Sequence, residues 1–217
     1  MGMEPGGPEG QWLQTIDLKR YTPEGPATAS WTGPDGQVHA LASGDDINIR
    51  AATNDGKADI ANAGLVFVGY GIHAPERNWD DYGDVDVTGK VVIVVGGEPD
   101  GELFNGEYRT NYAAPAYKAD EAKRRGAVGI ITLAAQPADN PGWKRAGSFN
   151  DRQRTLTPGA ADLEFSGAIN ADVGQTLGME AGLDMAAILA TVGSGTFKAV
   201  ALEGVTLSVM ASENIET

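Results

Sequence analysis

Four aspartates crowd together between residues 80 and 86, namely Asp80, Asp81, Asp84 and Asp86. Carboxylates at that density could hold a hard cation or move a proton. The order Asp84-x-Asp86-x-Thr88-Gly89 opens like a calcium loop, but its closing bidentate carboxylate would fall at Val95, inside an apolar run. A non-standard calcium site stays open beside a plainer reading, a solvated turn whose aspartates cap nearby backbone N–H groups. His39 and His73 are the only histidines. A catalytic zinc needs three protein ligands on a rigid frame. Neither histidine has an H-x-x-x-H or H-x-D partner, and His73 with Glu76 makes half a site. The reading assigns no metal ligand and no catalytic residue. Trp79 and Tyr82 flank the acidic loop, and Trp143 sits in a long polar stretch. Aromatics so placed are either binding anchors or lids over the core. Trp79, Asp80, Asp81, Tyr82 and Trp143 are therefore the candidates for facing a substrate or partner.

Other chemistries find less support. Gly69-Tyr70-Gly71-Ile72-His73-Ala74 imitates a dinucleotide-binding glycine pattern. Such a site needs a helix N-terminus directly after the glycines. Pro75 and Glu76-Arg77-Asn78 begin no helical pattern, so the glycines read as a tight turn. The chain has no G-x-S-x-G elbow and no cysteine, which leaves nucleophile–base catalysis little to work with. A hydrolase using a carboxylate pair stays open because acids abound, although no pair is marked by an apolar setting.

The elements that must position these groups follow from periodicity and punctuation. Leu65–Tyr70, Lys90–Val95 and Val128–Leu133 are apolar, β-branched runs suited to strands buried on both faces. Ala116–Arg125 reads as a helix with Ala119 and Ala122 on its packing side and i,i+4 pairs Asp120–Arg124 and Glu121–Arg125. Gly126 stops it, giving a βαβ unit. Gln11–Leu18 alternates as a strand, and Ala27–Trp31 with Val38–Leu41 flanks the turn Gly33-Pro34-Asp35-Gly36 as a hairpin. Asp45–Arg50 is an edge strand, and Gln136–Ala161 reads as one long loop. Asn170 and Asp184 cap two helices, and Phe197–Met210 is a strand broken at Glu203-Gly204. These elements imply a mixed fold, a β core that is partly barrel-like with a few helices outside.

The chain has 217 residues and a net charge of −14. That charge disfavours nucleic acid and anionic membrane surfaces. No run is long and apolar enough for a membrane span. No basic segment followed by an apolar one marks export at the N-terminus, and residues 1–10 are expected to be a disordered start.

Four sub-motifs now fall in order. They are V-F-V-G-Y-G-I-x-A-P from Val66, W-D-D-Y at Trp79–Tyr82, D-V-x-G-K-V-V from Asp86, and K-x-x-x-A-x-x-x-G-A-x-G-I from Lys118. Together they resemble the protease-associated domain of bacterial members of metallopeptidase family twenty-eight, a family of zinc aminopeptidases and more distant relatives. The resemblance covers about residues 11–217, with its core at 61–135. It implies an α/β, β-rich protease-associated domain over 61–217, with a partly open β-barrel or sandwich core, a βαβ unit and flanking helices. Residues 11–60 would form a strand and hairpin segment packed on it, and a peptidase domain would follow. The two zinc ions, on His, Asp and Glu, belong to that peptidase part. No H-x-D occurs here, so no ligand carries over. The implied role is a non-catalytic domain that gates substrate access or mediates protein contact. Its partners would be the peptidase domain of the same parent and a peptide or protein substrate, and the parent would be periplasmic or secreted.

Overall fold

The computed structural model describes residues 2–7, 10–13, 18–147, 152–155 and 163–216. Its strands are β1 (Leu18–Pro23), β2 (Thr28–Thr32), β3 (Val38–Leu41), β4 (Ile47–Ala51), β5 (Lys57–Phe67), β6 (His73–Ala74), β7 (Trp79–Asp80), β8 (Val91–Val95), β9 (Gly129–Leu133), β10 (Arg152–Thr155), β11 (Phe165–Ile169) and β12 (Val200–Glu216). Its α-helices are α1 (Pro115–Arg124), α2 (Pro141–Gly147), α3 (Ala171–Glu180) and α4 (Met185–Thr191).

Period-two alternation of bulky apolar residues builds the centre of the sheet. In β5 and β8, Leu65, Phe67, Val91 and Ile93 point to one face and Val66, Val92 and Val94 to the other. Both faces are buried, as a parallel strand requires. β5, β8, β9 and β11 run parallel in that order, joined by registers such as Val66↔Val92↔Ile130↔Ser166. β4 adds antiparallel to β11 at one edge, and β12 adds antiparallel to β5 on the other side. The hairpin β2–β3 and strand β1 both pair onto β12, and β10 pairs with β1. α3 and α4 cover the face of Phe67, Ile131 and Leu133 through Val173, Leu177 and Met185. α1 covers the opposite face through Ala122.

The sheet curls but does not close. β4 comes back against β12 without a ladder between them. A cleft of about 310 Å³ remains there, lined by residues including Pro26, Asn48 and Ser212. The mixed, β-rich expectation holds as one large mixed sheet with helices on both faces, and no closed barrel forms.

Other expectations resolve element by element. The hairpin, the edge strand β4, the βαβ unit β8–α1–β9 and the caps at Asn170 and Asp184 are all present. Asn170 Oδ1 accepts from the Val173 N–H at 2.9 Å, and Asp184 Oδ1 accepts from the Ala187 N–H at 3.1 Å. β5 begins at Lys57, not Leu65. Its polar half is held by pairing with β12 across a bulge at Asn62 (φ 52°), whose N–H donates to Ser208 Oγ at 3.0 Å. β12 runs unbroken to Glu216, absorbing Glu203-Gly204-Val205 as a bulge. Gln136–Ala161 is not one loop: it holds α2 and β10, and residues 148–151 and 156–162 lie outside those described. The strand expected at Gln11–Leu18 falls largely on 14–17, also outside them, and β1 begins at Leu18. Arg124 bonds Glu121, not Asp120, because Glu121 points inward and draws both arginines.

Candidate functional site

The acidic loop forms a corner where the chain leaves the carboxyl end of β5. Gly69 (φ 56°) and Gly71 (φ 65°) make the turn, and the Gly71 N–H closes it on the Val68 carbonyl at 2.8 Å. A Cβ at Gly71 would lie 2.9 Å from Val94 Cγ1, so only glycine fits the close approach to β8. No α-helix follows, only a single 3₁₀ turn at Pro75–Arg77, which agrees with a turn and not a dinucleotide loop. The chain instead returns on itself as β6 and β7, with His73 opposite Asp80 and Ala74 opposite Trp79.

Aromatic side chains fill this corner. Ile72, Ala74, Trp79 and Phe104 are buried together. Trp79 packs edge-on against Phe104 at 5.2 Å, Phe104 against Tyr112 at 5.9 Å, and Tyr112 against Tyr117 at 4.8 Å. The Arg77 guanidinium lies over Phe104 and Tyr112 and donates to the Leu103 carbonyl. These contacts fix the 98–112 loop against the acidic loop.

Beneath the aromatics lies a set of buried charges. Asp81 is 2% exposed, and its two oxygens accept from the Ile72 N–H and the Trp79 indole, each at 2.9 Å. Burial pushes its carboxyl up to about 6, opposed by those two bonds and by Lys118. Lys118, also 2% exposed, donates to the Tyr70 carbonyl and sits 5.5 Å from the Tyr70 ring centre. Burial brings its ammonium down to about 8, against the pull of Asp81 and Glu98. Glu98 accepts from the Thr110 N–H at 2.7 Å and from the Thr110 hydroxyl. On the outer side Arg125 stacks over Tyr82 at 4.3 Å, donating to Glu121 at 2.6 Å and to Asp80 at 3.2 Å.

Asp80 and Asp86 cap local backbone N–H groups, as the plainer sequence reading expects, whereas Asp81 is buried. Asp80 caps the Tyr82 N–H at 3.0 Å, and Asp86 caps the Thr88 N–H at 2.9 Å, a bond that holds the Asp86 carboxyl below its usual range. His73 Nδ1 lies 3.3 Å from Asp80 Oδ2. No group of three metal-binding side chains converges among the described residues.

The sequence candidates thus separate. Trp79, Asp80, Asp81 and Tyr82 share the corner, but Trp79, Asp81 and Tyr82 are buried and only Asp80 reaches solvent. Trp143 is elsewhere and is not on a loop. It is buried on α2, donating its indole N–H to the Asp45 carbonyl at 2.6 Å, and the Asn170 amide shares that acceptor at 2.9 Å. The aromatics are lids. Sequence reasoning missed Lys118 and Glu98, and it placed Glu121 only as the helix pair with Arg125, which forms. The signal for Lys118 was its place one turn before Ala122, on the stripe of α1 that faces the sheet.

The buried acids and the lysine of the corner are engaged, while the buried Tyr82 hydroxyl and His73 Nδ1 have no hydrogen-bond partner among the described residues. Asp81 has the raised pKa of a general acid, yet both oxygens are engaged and no substrate atom can reach them. Lys118 and Glu121 are held in the same way.

No protein-family model matches the chain, and no curated protein matches it. Among solved structures it is similar to the aminopeptidase from Aneurinibacillus sp. strain AM-1, at 18% identity and TM-score 0.44, over 92% of this chain and 34% of that one. It is also similar to BSAP, a zinc aminopeptidase from Bacillus subtilis, at 16% identity and TM-score 0.40, over 93% of this chain and 36% of that one. The chain spans about a third of the length of each.

Proposed function

We propose that this chain is a non-catalytic protease-associated module of a zinc-dependent, aminopeptidase-like peptidase, serving to gate substrate access or to make protein contacts. One observation carries the reading: the most charged region of the molecule spends its buried ionisable groups on holding a corner together. The four ordered sub-motifs support it, because they are consecutive pieces of that corner. V-F-V-G-Y-G-I-x-A-P is the exit of β5 and its turn, W-D-D-Y is β7 and its caps, D-V-x-G-K-V-V leads into β8, and the last is α1 with β9. In this reading the zinc ions and the reaction belong to a peptidase domain of a periplasmic or secreted parent, and Asp80 and the rim of the corner face that domain or its peptide substrate.

The test is an assay of the chain alone with added zinc against aminoacyl p-nitroanilides of several side chains. No turnover above buffer is expected, and zinc-dependent release of p-nitroaniline would overturn the reading. Calcium separates the remaining alternative. A melting temperature unmoved by millimolar calcium is expected, whereas a rise reversed by chelator would favour a calcium-binding module.

A further inference from the structure

A crevice of about 530 Å³ opens beside the corner, lined by Gly96, Gly97, Arg109, Thr110, Ala113 and Ala114. It is a shallow depression, widely open to solvent. It lies at the carboxyl end of β8, a strand flanked on both sides by parallel neighbours. We propose that this crevice binds a peptide carboxylate, at a free C-terminus or on an acidic side chain, through the guanidinium of Arg109. The proposal does not depend on the accessory reading above.

Three features converge. First, Arg109 makes no ion pair among the described residues, whereas Arg20, Arg77, Arg124 and Arg125 each have a carboxylate partner. In a chain with 30 acidic and 16 basic residues, an arginine left without one is a vacant carboxylate receptor. Second, the guanidinium is seated. Gly97 has φ 81°, and a Cβ there would fall 2.6 Å from Arg109 Nη1, so the missing side chain is what admits the arginine to the crevice floor. Third, the N–H of Gly97 donates to no backbone carbonyl among the described residues, adding a donor beside the guanidinium.

The walls fit the rest of a peptide. Ala113 and Ala114 are small and apolar, leaving room for a main chain or a short side chain. The acids nearby do not occupy the receptor: Glu98 is bound by Thr110 and offset by Lys118, and Asp100, which is exposed and acts on Tyr70, as Arg109 also does, forms no ion pair with Arg109 among the described residues. The overall negative charge weakens any anion's approach, but screening over about 8 Å at physiological salt leaves the local arginine in control.

The test is a titration of the ¹⁵N-labelled chain with acetyl-Ala-Ala-Ala, its C-terminal amide, acetyl-Ala-Glu-Ala-amide and inorganic phosphate, following the Gly96, Gly97 and Thr110 amides. Saturable shifts with the free-carboxylate peptide, the glutamate peptide or both, and none with the neutral amide, are expected; which of the two binds identifies the source of the carboxylate. Arg109→Gln, at an exposed position, should weaken binding at least about tenfold with the spectrum otherwise unchanged, and Arg109→Lys should restore part of it. Equal response to the neutral amide, binding of phosphate alone, or an Arg109→Gln variant that binds as well as the parent would overturn the proposal. Zinc-dependent peptidase turnover would defeat the accessory reading without touching this one.

Discussion

The acidic corner and the Arg109 crevice lie beside each other at the carboxyl ends of adjacent strands, yet they use charge in opposite ways. In the corner, Asp81, Lys118, Glu98 and Glu121 are buried and each is bound by named partners. In the crevice, Arg109 stands at the surface without a carboxylate partner among the described residues. The dense cluster of acids is the part of the molecule with least to offer a ligand, and the sparse crevice is the part with most. What distinguishes the two regions is whether their charged groups are engaged, not how many there are, although the corner leaves the buried Tyr82 hydroxyl without a partner among the described residues. Buried polar groups that are fully satisfied specify a conformation, while an unsatisfied one at a surface invites a ligand.

That contrast can be broken or sharpened by substitution. Phe104→Ala should have the largest effect. Phe104 is buried between Trp79, Tyr112 and Arg77 and ties the crevice loop to the corner. A loss of about 4 kcal/mol is expected in urea unfolding, and an intact, equally stable variant would show that the two regions are not mechanically joined. Lys118→Met comes next. It leaves Asp81 and Glu98 without their shared cation, so a loss of about 3 kcal/mol at pH 7 is expected. Unchanged stability would mean that the corner does not need its charges.

Asp81→Asn tests the same network through pH. The folded carboxyl titrates at about 6 against an ordinary value of 3.8, so the folded state holds its proton more tightly than the unfolded chain. The stability this contributes is complete below 3.8 and is lost as pH rises through 6. The wild-type chain should therefore lose on the order of 2 kcal/mol relative to Asp81→Asn between pH 4 and 7. Parallel stability curves for the two proteins would show that Asp81 is better solvated than its burial implies. Arg109→Gln should have the smallest effect, within about 0.5 kcal/mol, because nothing in the fold depends on its charge. A large loss would place Arg109 in the structural network and erase the contrast.

The sequence was most legible where one physical rule governs a stretch. Continuous β-branched runs placed β8 and β9 to within a residue, and Asn170 and Asp184 marked their helices because capping is local chemistry. The rejection of a dinucleotide site also rested on something local, the proline after the glycines. What escaped was non-local. The polar half of β5 is a strand only because β12 pairs with it, and no pattern within Lys57–Gly64 announces that partner. The burial of Trp79 and Trp143 depends on Phe104 and on the Asp45 carbonyl, each distant in sequence. Lys118 was passed over because a lysine on a helix ordinarily reads as a solvated charge. Only the Tyr70 carbonyl and two carboxylates arriving from other segments make it an interior residue.

β12 carries a consequence for synthesis. This single strand is bordered by β5 along one side and by β2 and β1 along the other, yet it comes after every other element in the chain. As the polypeptide leaves the ribosome, the hairpin and the parallel strands must wait as two separate halves, each with an open edge, until residues 200–216 emerge and join them. Assembly of this sheet waits for β12, and until that strand emerges the open edges are exposed to sticking and to chaperone capture.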